Sequence, residues 1–342
     1  MIAWNVLQHF YPYFDVVDVD WNEQLTIALT ETLEVESEFE FWMLLKRLFV
    51  ALEDGHGWVS HPVLGQSVGW FPIGVLWVEN QVVAVSSDVP EILPGDVIVD
   101  VDGIPAEQVL EEQERYLPGS PQFKRMHATW KFGYGLRDSV ATLTVLRDDG
   151  ELQVNVERTA GYILGEPRPE MITELLDGIW YVDLDRAGYT AIEPYLDALA
   201  GASGVIFDLR GYTYDFGTIS HLIDDRVLSP IFNLPHAIYP DREDLVEWDV
   251  ATWSLTPREP RITGQVVFLT DASAVSAAET FMGIIEGYGL AEIVGRPTAG
   301  ANGNINPFIL PGQYECYWTG MKVLKHDGSQ HHLIGILPTV HV

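Results

Sequence analysis

The sequence has little cysteine and little positive charge. Its single cysteine, Cys316 among 342 residues, excludes an internal disulfide and a zinc site built on several thiolates. Nineteen lysines and arginines stand against 50 aspartates and glutamates, which gives a net charge of −31. Such a surface repels nucleic acid and anionic membranes. The acidic excess indicates either adaptation to high salt, which screens surface charges, or ordinary solubility.

Long apolar runs are also missing. No stretch of about 18 uncharged apolar residues occurs, so no membrane span is predicted. The N-terminal segment, Met1–Asn5, has neither a basic region nor a small-residue cleavage site, so no signal peptide is visible. The protein is therefore either cytoplasmic or a mature or truncated form of an exported protein, and the sequence does not decide between the two. The sequence does not predict its oligomeric state.

Apolar residues make up 47% of the chain and follow patterns that change along it. Residues 1–62 carry helical spacing at 22–33 and 38–52, with Ser37 and Glu40 as a capping box. Residues 63–160 form short alternating strands around a helix at 105–116, with a hairpin turn at 148–150. From 161 to 342, strands alternate with helices, and 224–262 is predicted to be an irregular excursion. The fold class is therefore a multidomain α/β protein with an N-terminal helical region, a β-rich module and an α/β domain.

One segment favours nucleophilic chemistry. An apolar run at 266–269 leads into Thr270-Asp-Ala-Ser-Ala-Val-Ser-Ala-Ala-Glu279 and then into helical spacing. A serine between small residues at a strand-to-helix turn exposes its hydroxyl, and the backbone amides there point outward. That arrangement suits a nucleophile beside an oxyanion hole. The simpler alternative is that Ser273 or Ser276 only caps the helix.

Three further motifs precede that serine in a fixed order. His56 lies between two glycines, Leu93–Gly103 contains Gly-Asp-x-Ile, and Asp208-Leu-Arg-Gly211 ends an apolar strand. With Ser276 and Gly335-Ile-Leu-Pro338, this ordered set resembles the tail-specific, or C-terminal-processing, serine peptidase family, whose relatives include the tricorn core protease. The resemblance covers nearly the whole chain. It implies a PDZ-like domain over 63–160, a crotonase-like ββα catalytic domain over 161–342, a polypeptide substrate, and no metal or organic cofactor.

The resemblance also implies roles for particular residues. Ser276 matches the nucleophile, and the amides of Gly211 and Ala277 match the oxyanion hole. The processing branch has a lysine base 25 positions beyond the serine, but this chain has Ala301 there. The tricorn-like branch uses a histidine instead, which His56 matches, and a histidine accepts a proton near neutral pH without a large pKa shift. Alternatively, His56 is a turn residue packed on Trp58.

The acid that orients the histidine is harder to assign. No acid stands directly before Gly335, so Asp327 is the nearest candidate, although an aspartate before a glycine is also a typical turn residue. His331 and His332 are expected to be a pair at a strand edge. Glu279 is expected to support the turn as an acid at a helix N-terminus.

The β-rich module carries a second expected site. Its Gly69–Gly74 segment precedes a strand, as a carboxylate-binding loop does in a PDZ domain, so Phe71, Ile73 and Gly74 are candidates for binding a peptide tail. An ordinary hairpin is the alternative.

The sequence thus predicts a serine endopeptidase that works through an acyl-enzyme. The alternative from another class is a non-catalytic protein of the same fold that binds peptides or apolar ligands. An esterase or amidase is a third reading, which the lack of Gly-x-Ser-x-Gly around Ser276 disfavours.

Overall fold

The computed structural model describes residues 1–148, 150–161, 166–213, 215–237 and 246–342. Asp149 of the predicted hairpin turn, and Tyr214 and 238–245, lie outside them. Among the described residues, no helix is long and apolar enough to cross a membrane.

The N-terminal part is helical, as the sequence predicts. The two predicted helices begin at capping residues, since Asp20 accepts the amide hydrogen of Glu23 and Ser37 accepts that of Glu40. The elements are α1 (Ile2–Phe10), α2 (Trp21–Thr32), α3 (Glu38–Val50), β1 (Trp58–Ser60) and β2 (Val68–Gly69).

The middle part is an antiparallel sheet with the strand order β3-β4-β5-β8-β9, so β3 is an edge strand. Helix α5, which the sequence analysis missed, packs against β3 and begins with Ser120 as its cap and Pro121 in its first turn. The elements are β3 (Ile73–Val78), β4 (Gln81–Ser87), β5 (Val97–Val101), β6 (Ile104–Pro105), α4 (Ala106–Glu114), α5 (Pro121–Trp130), β7 (Gly135–Leu136), β8 (Val140–Arg147) and β9 (Gly150–Glu157).

The C-terminal part is built on a six-stranded sheet with the order β10-β11-β12-β17-β18-β22, parallel except for β10. Its elements are β10 (Ile172–Leu176), β11 (Ile179–Asp183), α6 (Tyr189–Ile192), α7 (Leu196–Gly201), β12 (Gly204–Asp208), β13 (Val227–Leu228), β14 (Ile231–Ala237), β15 (Val246–Ala251), β16 (Ser254–Leu255), β17 (Gln265–Thr270), α8 (Ala277–Tyr288), β18 (Glu292–Gly295), β19 (Ile305–Leu310), β20 (Tyr314–Thr319), β21 (Lys322–Leu324) and β22 (Val340–His341).

Strands β13 to β16 correct the prediction of an irregular excursion over 224–262. Strand β13 pairs with β16, and β14 pairs with both β15 and β21. The proline-rich and aromatic composition of this segment concealed its strands. Strands β13 and β16 have only two residues each, and β14 pairs with β21, which is distant in sequence.

The central strands β12 and β17 explain why two distant motifs meet. Both lie in the centre of the sheet, where β12 is largely buried and β17 is half-buried to buried after its first residue, which fits their apolar runs. They run parallel with Phe207 opposite Phe268, and the amide of Leu209 continues the ladder to the carbonyl of Leu269. The segments after β12 and β17 therefore emerge at the same edge of the sheet.

The N-terminal helices are not packed as a separate unit. Strand β1 pairs with β20, placing Trp58 opposite Tyr317, and β20 pairs with β19. Residues from α1, α3 and the β19–β20 hairpin share one core, which includes Leu7, Phe49, Leu310, Cys316 and Trp318. The region predicted as 1–62 therefore depends on C-terminal strands for its core.

Two stacked, buried phenylalanine rings contribute to the stability of the central sheet. Phe268 is fully buried, and its ring lies 5.1 Å from that of Phe207. We expect Phe268→Ala to lower the free energy of unfolding by about 3–5 kcal/mol, because the truncation leaves a cavity. Leu176→Ala, at a side chain that is 70% exposed, should change it by about 0.5 kcal/mol or less. Urea unfolding of both variants measures this, and equal losses would contradict the assignment of the core.

Candidate active site

Ser276 stands at the point where the chain turns from β17 into α8. Its backbone has φ 59° and ψ −118°, a conformation that side-chain-bearing residues rarely adopt. Its amide donates to the carbonyl of Ala301 at 2.9 Å, and its side chain makes no capping bond to α8. By contrast, Ser273 donates its hydroxyl hydrogen to Asp271, and its backbone does not have a positive φ. The capping alternative therefore does not describe Ser276.

His56 lies in a buried turn that one carboxylate organises. Asp54, fully buried, accepts the amide hydrogen of His56 at 3.0 Å. The same carboxylate accepts both the amide hydrogen of Thr319 at 2.7 Å and its hydroxyl hydrogen at 2.6 Å. Three hydrogen bonds thus hold the turn of His56 against the end of β20.

The Thr319 hydroxyl determines the tautomer of the His56 imidazole ring. Its Oγ1 lies 3.0 Å from Nδ1 of His56. Because its single hydrogen goes to Asp54, Oγ1 accepts from His56, so the hydrogen of the neutral ring is on Nδ1. This leaves the lone pair on Nε2, the nitrogen that can take a proton from a neighbouring group.

Burial keeps that ring neutral. Desolvation lowers the pKa of His56 below its ordinary value of 6.5, although the charges of Asp54 and Glu279 act in the opposite direction. At neutral pH the imidazole is therefore a proton acceptor.

Ala301 links the histidine turn to the serine. Its carbonyl accepts the amide hydrogen of Ser276, and its methyl group packs on Gly55, the residue before His56. A Cβ added to Gly55 would lie 2.5 Å from Cβ of Ala301. Small residues are thus required on both sides of this contact, and position 301 has no room for a longer side chain without displacing the turn.

Glu279 anchors the loop that holds Ser276. The fully buried carboxylate accepts the amide hydrogens of Gly300 at 2.7 Å and Ala301 at 2.8 Å, and the hydroxyl hydrogen of Thr298. Nε2 of His331 lies 3.3 Å from Oε1. Burial raises the pKa of Glu279, but His331 and these hydrogen bonds outweigh it and lower the pKa overall. The carboxylate is therefore charged and committed to structure.

Two backbone amides near Ser276 are available to a ligand. Within the described ranges, neither Gly211 nor Ala277 donates its amide hydrogen to a protein acceptor. Gly211 follows β12 and Ala277 begins α8, so both lie at the same edge of the central sheet. Gly211 has φ 153°, and a Cβ there would lie 2.4 Å from Cγ of Asp185, so only glycine fits.

The turn before Gly211 is fixed by charge. Arg210 donates to Asp208 through Nε at 3.0 Å and through Nη2 at 2.6 Å, and to Glu166 through Nη1. Bidentate pairing of this kind is rigid as well as strong. The Asp208–Gly211 segment is recognisable from the sequence, whereas the role of Glu166 is not.

Asp327 does not hold the position expected of it. It is exposed, and its carboxylate accepts the amide hydrogen of Ser329 at 2.9 Å within a turn. His56, in contrast, is buried with Nδ1 on Thr319. The structure therefore gives Asp327 the turn role and gives the contact with His56 to Thr319 and, through it, to Asp54.

His331 and His332 are buried rather than paired at a strand edge. The ring of His332 stacks on Tyr13 at 3.9 Å, and its Nε2 lies 3.2 Å from the Tyr11 hydroxyl. Burial lowers the pKa of His332 to about 4. Within the described residues, no cluster of three or more histidine, cysteine, aspartate or glutamate side chains could hold a metal ion.

The expected peptide-binding residues of the β-rich module are also corrected. The side chains of Phe71 and Ile73 belong to the core, and the amide of Phe71 donates to the carbonyl of Phe132. Gly74 pairs with Ser86 inside the sheet. An accessible groove of about 370 Å³ lies beside β3 and α5 and extends to the segment before Ser276. Its lining includes Trp77, Val78, Arg125, Met126, Asp271 and Ala272.

The contact between Gly55 and Ala301 can be tested by a double-mutant cycle. Gly55→Ala alone should destabilise the protein because the added methyl group meets Ala301. Combining it with Ala301→Gly should recover about 1 kcal/mol or more relative to the sum of the two single variants. Thermal unfolding of the four proteins gives the coupling, and strictly additive effects would show that the two turns do not touch.

Residues 179–342 match the model of peptidase family S41. No curated protein matches the sequence significantly. In fold, the chain is similar to mature CPAF complexed with lactacystin, with a TM-score of 0.80 and 15% identity over 99% of this chain and 92% of that one.

Two further solved structures are similar at lower scores. A putative peptidase from Parabacteroides merdae has a TM-score of 0.56 and 15% identity over 99% of this chain and 87% of that one. The photosystem II D1 C-terminal processing protease has a TM-score of 0.52 and 16% identity over 100% and 91%. Residues 179–342 therefore match peptidase family S41, and the chain has a mixed α/β fold similar to those of these peptidase structures.

Proposed function

We propose that Ser276 is the nucleophile and His56 the general base of an endopeptidase that acts on polypeptides. The observation that carries the assignment is the strained, uncapped conformation of Ser276 at the start of α8. Strain of this kind persists only where the surroundings enforce it, and Ala301 and Glu279 supply that enforcement here.

The reaction follows from the groups around the serine. His56 Nε2 takes the hydroxyl proton as Oγ of Ser276 attacks the peptide carbonyl carbon, and the carbonyl oxygen becomes an oxyanion. The amides of Gly211 and Ala277 donate to that oxyanion. When the C–N bond breaks, the imidazolium returns the proton to the leaving amine and an acyl-enzyme remains. Water, which gives a proton to the same histidine, then attacks the ester carbonyl. When the C–Oγ bond breaks, the imidazolium returns that proton to Oγ, which frees Ser276 and the acid product.

Asp54 and Thr319 together take the role that the sequence predicts for Asp327. The Thr319 hydroxyl positions the Nδ1 side of the ring, and the Asp54 carboxylate behind it stabilises the imidazolium that forms during attack. Both act through His56 and touch no substrate, so they are positioning residues.

We also propose a division of the chain into three domains. Residues 63–160 act as a PDZ-like domain, and 161–342 as a crotonase-like catalytic domain preceded by the helical region 1–62. The position of β3 at the end of the strand order, with a groove beside it, supports this, because a peptide can add to an edge strand through backbone hydrogen bonds. The groove reaches Asp271 and Ala272, so a peptide held there lies close to the turn of Ser276.

Two neighbouring serines provide a matched test. Ser276→Ala should reduce kcat for an unstructured protein substrate by about 10⁴-fold or more, and His56→Ala by about 10²-fold or more. Ser273→Ala, in the same turn, should retain most of the activity because its hydroxyl is bound to Asp271. Turnover of a fluorogenic casein measures all three. A folded parent protein that binds peptides but cleaves none would favour the non-catalytic alternative.

The positioning pair has its own signature. Thr319→Val removes the hydroxyl and should lower kcat about tenfold or more, while Thr319→Ser should retain most activity. Because burial lowers the pKa of His56, kcat/KM of the parent should rise with pH through a midpoint below 6.5. The Asp54 charge opposes that lowering, so Asp54→Asn should move the midpoint to still lower pH. Identical kcat values for the valine and serine variants would contradict the positioning role of the Thr319 hydroxyl.

A further inference from the structure

Lysine is scarce in this chain, and its distribution is uneven. The sequence contains only five lysines. Lys322 pairs with Asp15, and Lys325 pairs with Glu286 at 2.8 Å. Lys46 and Lys131 instead line one cavity of about 290 Å³. In the part of the chain that the structure describes, neither of these two lysines has a carboxylate within 4.0 Å of its ammonium nitrogen.

The cavity is cationic and has apolar walls. His127 also lines it, together with Phe49, Trp58 and Phe123, and no acidic side chain is among its lining residues. The ammonium group of Lys46 lies 4.3 Å from the centre of the Trp42 ring, which is a weak substitute for an anion. The cavity thus concentrates positive charge in a protein whose net charge is −31, and no acidic side chain of its lining balances that charge.

Placing these basic groups together in a buried cavity disfavours their protonated forms, so their pKa values are lowered. Burial and the charge of Lys131 lower the pKa of Lys46 to about 8 and that of His127 to about 3. Burial also lowers the pKa of Lys131. An anion bound between the two lysines would offset this cost, because an opposite charge favours the protonated forms.

The cavity is next to the proposed catalytic pair. Gly55 and Gly57, on either side of His56, are part of its wall. Phe123 of the same wall packs with Ala299 and Ala301, and Ala301 holds the amide of Ser276. Trp58, which is 40% exposed and stacks on Tyr317 at 4.3 Å, adds an aromatic face at the rim. A group bound in the cavity therefore lies beside the turn that carries His56.

We propose that the cavity between Lys46 and Lys131 is a specificity site that binds a carboxylate of the polypeptide substrate close to the bond that is cleaved. The proposal rests on the serine peptidase function proposed above. The carboxylate comes either from an aspartate or glutamate side chain of the substrate or from its C-terminus. Both present the same planar anion to the two ammonium groups, so the chemistry of recognition is shared.

The test compares matched peptides. One series carries glutamate or glutamine at each position around the cleaved bond and ends in an amide. The other series has no acidic side chain and ends in either a free carboxylate or an amide. We expect one series to show a preference of about ten- to hundredfold in kcat/KM for the anionic member, since a hydrogen bond to a charged group is worth that much. The series that shows it identifies the source of the carboxylate.

Variants then assign the preference to the cavity. Lys46→Met and Lys131→Met should each reduce the preference, and the double variant should abolish it, while kcat/KM for the neutral peptides stays near that of the parent. Lys131→Arg, which keeps the charge, should retain it. Lys124→Met is the control for net charge, since Lys124 lies on α5 but does not line the cavity, and it too should retain the preference.

Three results would overturn the proposal: no preference for an anionic peptide in the parent, a preference that survives in the double methionine variant, or an equal loss for neutral and anionic peptides. If the parent cleaves no peptide, the proposed function fails and the cavity is judged separately by calorimetric titration of the same peptides. Tighter binding of the anionic member that is lost in the double variant would then support the carboxylate site, and equal binding would refute it.

Discussion

The geometry of the candidate site depends on one buried carboxylate. Asp54 accepts three hydrogen bonds, one from the backbone of its own turn and two from Thr319 at the end of β20. A buried charge is tolerated only when it is fully hydrogen-bonded, so the turn and the strand cannot separate without a large cost. The Asp54 carboxylate thereby joins the N-terminal helical part to the C-terminal strands. The same hydrogen bonds also fix the orientation of His56.

A second buried carboxylate does the corresponding work for the serine. Glu279 holds the loop of Gly300 and Ala301, and the carbonyl of Ala301 holds the amide of Ser276. The two anchors meet where Ala301 packs against Gly55. The site is thus made of two rigid turns that share one small-residue contact, which is a form of preorganisation that transition-state stabilisation requires.

The sequence predicted those parts of the site that local patterns encode. The glycine-flanked His56 and the small residues around Ser276 are recognisable because turns at strand ends require them. Asp54 stands two residues before His56, but its action through Thr319 depends on the pairing of β1 with β20, which no local pattern reveals. Phe71 was misjudged for a similar reason, since its burial and its bond to Phe132 follow from tertiary packing. Helix α5 was missed although Ser120 and Pro121 mark its start, because its apolar face is short.

The central claim is that Ser276 is activated by His56. Labelling of the folded protein with a fluorophosphonate probe, followed by mass-spectrometric mapping of the adduct, tests it most directly, because the probe reacts with an activated serine whatever the natural substrate is. The account predicts a single adduct on Ser276 that is lost in the His56→Ala variant. An adduct on another serine, or labelling of Ser276 that persists without His56, would contradict it.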